Sequence, residues 1–310
     1  MIKILKSVDN QLAELEKIEE KCWVCVNNPS IDELQKLGNE LQIPMDFLTD
    51  SLDINERARV EADGDCILIV FRSAIIDETD SDIPYKTIPV GIIFKGEIII
   101  SICAKSIEEI LDFQSQKTKW FSTQNRNQFL LNFLHRTSYH FLKFLDNIEN
   151  KANAIETILQ KSTKNEELIK LLNLEKSLVY FTTSLKSNEL MMQRMSRMKQ
   201  FNFSEDDLDF LDDTLIDHKQ AIDVAEIHSN ILSGMMDAFA SVISNNLNIV
   251  MKLLTGITIM LMIPTLIASI YGMNIKLPFQ HSPHAFEFTL GTSALLTLTG
   301  ILFFFKKHWL

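Results

Sequence analysis

Glycine and proline are scarce in this chain, 9 and 7 of 310 residues. That scarcity excludes collagen-like and low-complexity architectures, which need several times more of both. Cysteine is scarcer still, with four residues, too few for a disulfide-built scaffold. Basic residues are outnumbered, Lys+Arg 30 against Asp+Glu 41, for a net charge of −11. A nucleic-acid binder needs a basic footprint, so that class of partner is not expected; an acidic chain suits cations. No glycine-rich phosphate loop, Ser/His/Asp set or paired-carboxylate arrangement stands out, so an enzyme is not expected. The start, Met1-Ile2-Lys3-Ile4-Leu5-Lys6, has neither the apolar core nor the cleavage site of a signal peptide, and none is expected.

Cys22-Trp23-Val24-Cys25 has the C-x-x-C spacing. It lies in a strand-like run, where residues three apart point to opposite faces. No second pair and no Cys/His partner set follows. Cys22, Cys25, Cys66 and Cys103 therefore read as reduced core thiols.

What the chain does have is β-branched runs at the front and helical periodicity behind. Residues 2–5, 22–26, 58–62, 66–73, 87–94 and 97–103 are rich in Ile and Val and read as strands. Asp63-Gly64-Asp65 and Lys95-Gly96-Glu97 read as hairpin turns. Ser30-Ile31-Asp32-Glu33 is a capping box that opens a helix to about Leu41. Pro44 begins a short helix, and 105–114 is a third. An acidic run, Asp77, Glu78, Asp80 and Asp82, lies between two strands. It reads either as a solvated loop or as part of a cation site completed by another subunit.

From about Asn125 the period is helical. Residues 125–161 and 166–199 read as two long helices. Ser204, with Asp206 and Asp207, caps a third that continues without evident break into an apolar run. Its apolar positions follow a heptad, Leu208, Leu215, Ile222, Ser229, Met236, Ile243, Val250 with Leu211, His218, Ala225, Leu232, Phe239, Asn246, Leu253. Eleven of these fourteen are apolar, as in a coiled coil. From Ser204 to Asn274 one continuous helix would measure roughly 105 Å at 1.5 Å per residue, and Pro264 predicts a kink in it.

No charged residue occurs between Leu253 and Ile275, a run long enough to span a bilayer. Asn248, Met251, Thr255, Thr258, Met262, Thr265, Ser269 and Gly272 recur at spacings of three and four, on one face of that helix. A membrane helix with such a stripe has something other than lipid on that side. Helix packing and a pore lining both explain it. A second apolar run, 286–305, ends at Lys306-Lys307-His308. By the positive-inside rule these basic residues face the cytosol, and so does the large N-terminal part.

The first apolar run closes with Pro264-Thr265-Leu266-Ile267-Ala268-Ser269-Ile270-Tyr271-Gly272-Met273-Asn274. This stretch, at the end of the first of two C-terminal spans, resembles the CorA family of divalent-cation channels. The resemblance is specific from about Asp237 onward and covers the remaining chain in architecture. It implies an α+β cytosolic domain with a mixed sheet, long stalk helices and two C-terminal transmembrane helices, in a funnel-shaped homopentamer in the inner membrane. The expected layout is 1–124 for the α/β domain and 125–203 for the long cytosolic helices. Residues 204–274 form the stalk helix, entering the bilayer at about 250–273. Residues 275–285 are an outer loop, 286–305 the second span and 306–310 a basic cytosolic tail, with both termini cytosolic.

The resemblance also implies a selectivity filter at Gly272, Met273 and Asn274, with Asn274 carbonyls holding the outer ring. It extends the pore lining of Asn248, Met251, Thr255, Thr258, Met262, Thr265 and Ser269 to Leu254, which lies beside the stripe. Met251, Leu254 and Met262 would form hydrophobic constrictions. Neutral oxygens suit Mg²⁺, which sheds its water reluctantly, better than carboxylates that would hold it too long. The family further implies gating by cytosolic divalent cation, for which Asp77, Glu78, Asp80, Asp82, Asp212, Asp213 and Asp217 are candidate ligands, and a basic ring at Lys306 and Lys307. Expected ions are Mg²⁺, permeant and regulatory, with Co²⁺, Ni²⁺ or Zn²⁺ as further ions; the lipid bilayer is the other partner.

One departure stands out. Many family members carry Met-Pro-Glu-Leu in the outer loop, whereas here Leu277-Pro278-Phe279-Gln280 lacks the acid. His281 and His284 lie nearby as H-x-x-H. They read either as a polar loop or as imidazoles that favour Co²⁺, Ni²⁺ or Zn²⁺ over Mg²⁺. A zinc transporter of the same superfamily and, from another class, a membrane-anchored sensor or scaffold stay open as readings.

Overall fold

The computed structural model describes residues 2–8, 11–77, 83–115, 121–160, 165–275, 277–278 and 282–307. The chain divides into two compact units, Met1–Met236 and Asp237–Leu310.

Unit 1 is built on a seven-stranded sheet. Its strands are β1 (Ile2–Val8), β2 (Gln11–Leu15), β3 (Trp23–Asn27), β4 (Arg59–Asp63), β5 (Cys66–Ile76), β6 (Tyr85–Lys95) and β7 (Ile98–Cys103). Their spatial order is β2-β1-β3-β7-β6-β5-β4. All neighbours are antiparallel except β3 and β7, so the sheet is mixed as expected. The hairpins turn where Gly64 and Gly96 take φ of +58°, a left-handed conformation that glycine adopts without strain.

Strand alternation sends Ile67, Ile69 and Phe71 of β5 to one face and Cys66, Leu68 and Val70 to the other. The second face is covered by α1 (Ile31–Leu41) and α2 (Met45–Asp50), through Leu34, Leu37, Phe47 and Leu48. The first is covered by α3 (Glu108–Gln114) and the start of α4 (Arg126–Leu159), where Phe129 and Phe133 pack edge-on against Trp23 and Phe71. Central strands buried on both faces read as continuous apolar runs, which is why they were visible without alternation. Cys22 and Cys25 fall into different cores, so the C-x-x-C cannot close on one ion.

Two expectations shift. β1 runs on to Val8, and β2 is an additional strand. Gln-Leu-Ala-Glu-Leu is an edge strand with most residues exposed; it pairs with β1, and its leucines, three apart, lean on opposite cores, so it shows no alternation. At the opposite edge β4 ends opposite Val70. The Arg72 backbone is met instead by a side chain of α5 (Asn165–Met195): Asn188 Oδ1 accepts from Arg72 N and its Nδ2 donates to Arg72 O, both at 2.8 Å.

The long helices are capped as their sequences dictate. Asn125 Oδ1 accepts from the amides of Asn127 and Gln128 at the start of α4. Ser204 and Asp207 exchange side-chain and backbone hydrogen bonds at the start of α6 (Glu205–Tyr271). The heptad seam of α6 is buried at Leu211, His218, Ala225 and Leu232. Its partners are α4 and α5 of the same chain: Ser138 Oγ lies 2.7 Å from His218 Nδ1, and Lys186 pairs with Glu226 at 2.5 Å. The coiled-coil pattern is thus used within unit 1.

Unit 2 holds the end of α6 and α7 (Ala285–Lys306). Both helices are long and apolar enough to cross a membrane. α6 is helical through Pro264 to Tyr271.

Candidate functional site: the polar stripe of the first apolar helix

Within unit 2, α7 covers one side of α6. A Cβ on Gly300 would stand 3.7 Å from Ile263 Cδ1, and Ile263, Pro264, Ile267 and Tyr271 are partly buried. The stripe lies on a different side and stays exposed from Asn248 through Met251, Thr255, Thr258, Met262, Thr265 and Ser269 to Gly272. A shallow groove of about 420 Å³ runs along it, lined by Thr258, Leu261, Met262, Thr265, Leu266 and Ser269. Leu254, 56% exposed, lies outside the covered side too.

The threonine hydroxyls have a definite polarity. Thr258 Oγ1 donates to the Leu254 carbonyl and Thr265 Oγ1 to the Leu261 carbonyl, each at 2.8 Å. Their hydrogens are used within the helix, so they turn oxygen lone pairs outward. The helix ends with Gly272 N donating to Ala268 O at 2.9 Å and Met273 N to Ile270 O at 3.2 Å. A side chain at Gly272 would put a Cβ 3.3 Å from Ala268 O, so this last turn is tight. Asn274 follows, exposed and outside the helix.

A model of the CorA family, described as CorA-like Mg²⁺ transporter protein, matches residues 19–307. The chain belongs to the CorA family. Among curated relatives, the cobalt/magnesium transport protein CorA of Methanocaldococcus jannaschii is 28% identical over 293 residues, 93% of this chain and 91% of that protein. The magnesium transport protein CorA of Helicobacter pylori is 25% identical over 300 residues, 94% of this chain and 91% of that one. Among solved structures, the complete CorA magnesium transporter from M. jannaschii superposes with a TM-score of 0.86 at 25% identity, covering 100% of this chain and 99% of that one. CorA proteins are transporters, and the mixed sheet, long helices and two apolar helices of this chain match that CorA structure.

The acidic residues expected to bind regulatory cation are spread out. Asp77 sits between Lys86 and Lys105, at 3.2 and 3.3 Å, and these ammonium groups compete with any cation there. Glu78, Asp80 and Asp82 lie outside the described residues. Asp212 and Asp213 are exposed on α6, and Asp217 Oδ2 lies 3.5 Å from His135 Nδ1. No group of three or more metal-type side chains forms among the described residues of the single chain. Lys306 and Lys307 are exposed at the end of α7; His281 and His308 lie outside the described residues.

Two arrangements were not singled out from the sequence. His284 Nδ1 lies 2.8 Å from Glu287 Oε2, in the first turn of α7. The second is a buried polar cluster joining α3 to the sheet and α4. Glu109, fully buried, accepts from Ser73 Oγ at 2.7 Å, and burial pushes its pKa up to about 7. One turn on, Asp112 Oδ2 accepts from Arg136 Nε at 2.7 Å and from His140 Nε2 at 2.9 Å. Burial acts to raise the Asp112 pKa, but these two partners outweigh it and hold the carboxyl below its usual range. Burial lowers the His218 pKa to about 4, so this seam histidine is neutral.

Proposed function

We propose that this chain is a Mg²⁺ channel, also passing Co²⁺, that works as a homopentamer in the inner membrane. α6 and α7 span the bilayer, unit 1 and both termini are cytosolic, and Asn274 faces outward. The exposed stripe of α6, ending in Tyr-Gly-Met-Asn within a CorA-family chain, carries this reading. The names of the relatives, cobalt/magnesium and magnesium transport proteins, support the choice of ions.

The chemistry of the stripe fits a hydrated cation. Water bound to Mg²⁺ points its hydrogens outward and needs acceptors. Thr258 and Thr265, with their hydrogens committed to the helix, offer acceptors. Asn274 offers an amide carbonyl outside the helix, where backbone constraints do not fix it. Neutral acceptors bind the hydrated ion without the long residence a carboxylate ring would impose. Met251, Leu254 and Met262 on or beside the stripe supply apolar rings that exclude water when the pore is narrow. Cytosolic divalent cation, held by carboxylates between subunits, favours that closed state.

Divalent uptake into liposomes holding only this protein tests the reading, with Mg²⁺, Co²⁺, Ni²⁺ and Zn²⁺ compared. Mg²⁺ and Co²⁺ should enter through wild type. Asn274→Ala should assemble normally and lose selective divalent flux, by roughly tenfold or more given the loss of a ring of contacts worth over 1 kcal/mol. Wild-type selectivity in an assembled Asn274→Ala channel would overturn the filter assignment.

A further inference from the structure

Unit 1 holds a cavity of about 1010 Å³, where the end of β5 and the start of β6 meet α5 and the segment 54–58. That volume lies at the upper end of the roughly 300–1,000 Å³ of clefts that take small molecules. The chain is acidic, at −11, yet this cavity is cationic. Arg57, Arg72, Lys86, Lys105 and Lys186 line it, against Glu56 and Asp77.

Arg72 is its fixed point. Nε donates to Thr87 Oγ1 at 3.2 Å and to Ser184 Oγ at 3.1 Å. Nη1 donates to the carbonyls of Ile54 and Glu56 at 3.0 and 2.7 Å, and Nη2 to the Thr87 carbonyl at 2.8 Å. A guanidinium has five N–H groups, so one on Nη2 remains for a ligand. All of these acceptors are neutral oxygens. They hold the guanidinium in place and leave its charge without a carboxylate contact. Burial pushes its pKa down, and Glu56 acts the other way, but Glu56 itself pairs with Arg59. A partly buried charge is costly until an opposite charge meets it, and an anion in the cavity would be that partner.

The other wall is different in kind. Tyr180, Val179 and Leu190 of α5 line the cavity and are exposed, as is Ile54 across from them in sequence. An inorganic anion has no use for such a surface, whereas a planar ring stacks on tyrosine. Between the two walls Ser187 Oγ accepts from Ala58 N at 3.1 Å and keeps its own hydrogen to donate. Arg57 is exposed, with no partner among the described residues, and Lys105 is half exposed beside Asp77.

We propose that this cavity binds a nucleoside polyphosphate, with the phosphates against Arg72, Arg57 and Lys105 and the base against Tyr180. Arginine suits the phosphate end because its donors are planar and its charge is permanent. The inference stands apart from the channel reading, since it concerns unit 1 alone and its test needs no flux.

The test is equilibrium dialysis of the detergent-solubilised full chain with labelled ATP in EDTA, so that no divalent ion takes part. Unlabelled tripolyphosphate and adenosine serve as competitors. ATP should saturate at one per chain, tripolyphosphate should displace it at higher concentration than ATP does, and added salt should weaken both. Replacing Arg57 and Lys105 together by Gln should raise the Kd for ATP by roughly tenfold or more, as the loss of two charge-assisted contacts requires. Tyr180→Ala should raise it by roughly fivefold or more while leaving tripolyphosphate binding unchanged. Lys36→Gln, on the exposed side of α1, should change nothing. These side chains are exposed, so the variants should keep the wild-type melting midpoint, and ATP should raise that midpoint in wild type more than in the Arg57/Lys105 variant. Wild type that does not saturate with ATP overturns the proposal, as does an Arg57/Lys105 variant with the wild-type Kd. A Tyr180→Ala protein that binds ATP as wild type does overturns the nucleotide assignment.

Discussion

Glu109 shows how one residue can set the pH response of unit 1. It is fully buried at the start of α3, its Oε1 takes the Ser73 hydroxyl, and its Oε2 has no partner among the described residues. Desolvation disfavours the charged form, so the folded pKa rises from 4.5 to about 7. A raised folded pKa contributes stability that is fully present below pH 4.5 and lost as pH rises through 7. The span of that loss is on the order of 3 kcal/mol, since each pKa unit is about 1.4 kcal/mol. Glu109→Gln keeps an acceptor for Ser73 and never ionises. Wild type should therefore melt at a falling temperature from pH 5 to pH 8, while Glu109→Gln falls much less and is the more stable protein at pH 8. Apparent melting midpoints of the detergent-solubilised full chain would show this. Parallel pH curves for the two proteins would mean that Glu109 is solvated or already ionised in the fold.

At the scale of elements, what the sequence reveals depends on whether side chains or backbone do the work. The β5, β6 and β7 strands, the α1 capping box and the α6 seam were legible because each rests on apolar spacing or a capping pair. The partner of the seam was not, since a heptad says what is buried and not against what; here it is α4 and α5. β2 was not legible because its leucines, Leu12 and Leu15, lie three apart on opposite faces and break the strand alternation. The stripe of α6 was legible from spacing, whereas the Glu287–His284 contact needed the turn of α7 to bring the residues together. The seat of α2 on the sheet belongs with the unreadable features. Gly91 of β6 looks like any strand glycine, yet a Cβ there would stand 1.8 Å from Ser51 Oγ and 2.7 Å from Ser51 Cβ. Ser51 is the fully buried C-cap of α2, so this close approach fixes how α2 docks. Gly91→Ala should destabilise unit 1 by about 1–3 kcal/mol, the usual cost of overpacking. Adding Ser51→Gly should recover most of that loss, because it removes both clashing atoms. Thermal melts of the two single variants and the double variant would measure the coupling; strictly additive losses would show that the two positions do not meet.

At the scale of the whole molecule, the chain's net charge is −11, and the negative charge lies on unit 1, because unit 2 carries more lysines than carboxylates. In the proposed pentamer, chains side by side would therefore repel through unit 1. The start of α6 concentrates that repulsion. Of its aspartates, Asp207 is committed to the helix cap and Asp217 lies near His135. Asp212 and Asp213 are exposed, with no partner among the described residues. Among the described residues a single chain brings no three metal-type ligands together there, so a cation bound at this place in the proposed pentamer would borrow oxygens from a neighbouring subunit. Such a cation offsets the repulsion only while the subunits stay close, and so binds a tightly packed ring better than a loosened one. In the channel proposed above, rising cytosolic Mg²⁺ would by linkage favour the packed, closed ring, and falling Mg²⁺ would open it. On that proposal the permeant ion would limit its own entry. Replacing Asp212, Asp213 and Asp217 together by Asn removes ligands and repulsion at once while keeping side-chain volume. The triple variant should still conduct, and raising internal Mg²⁺ should no longer close it; the midpoint for closure should move upward by roughly tenfold or more, a change of about 1.4 kcal/mol in coupling. Flux from liposomes loaded with graded Mg²⁺ measures that midpoint. A triple variant that shuts at the wild-type Mg²⁺ concentration would place the sensing carboxylates on another part of unit 1.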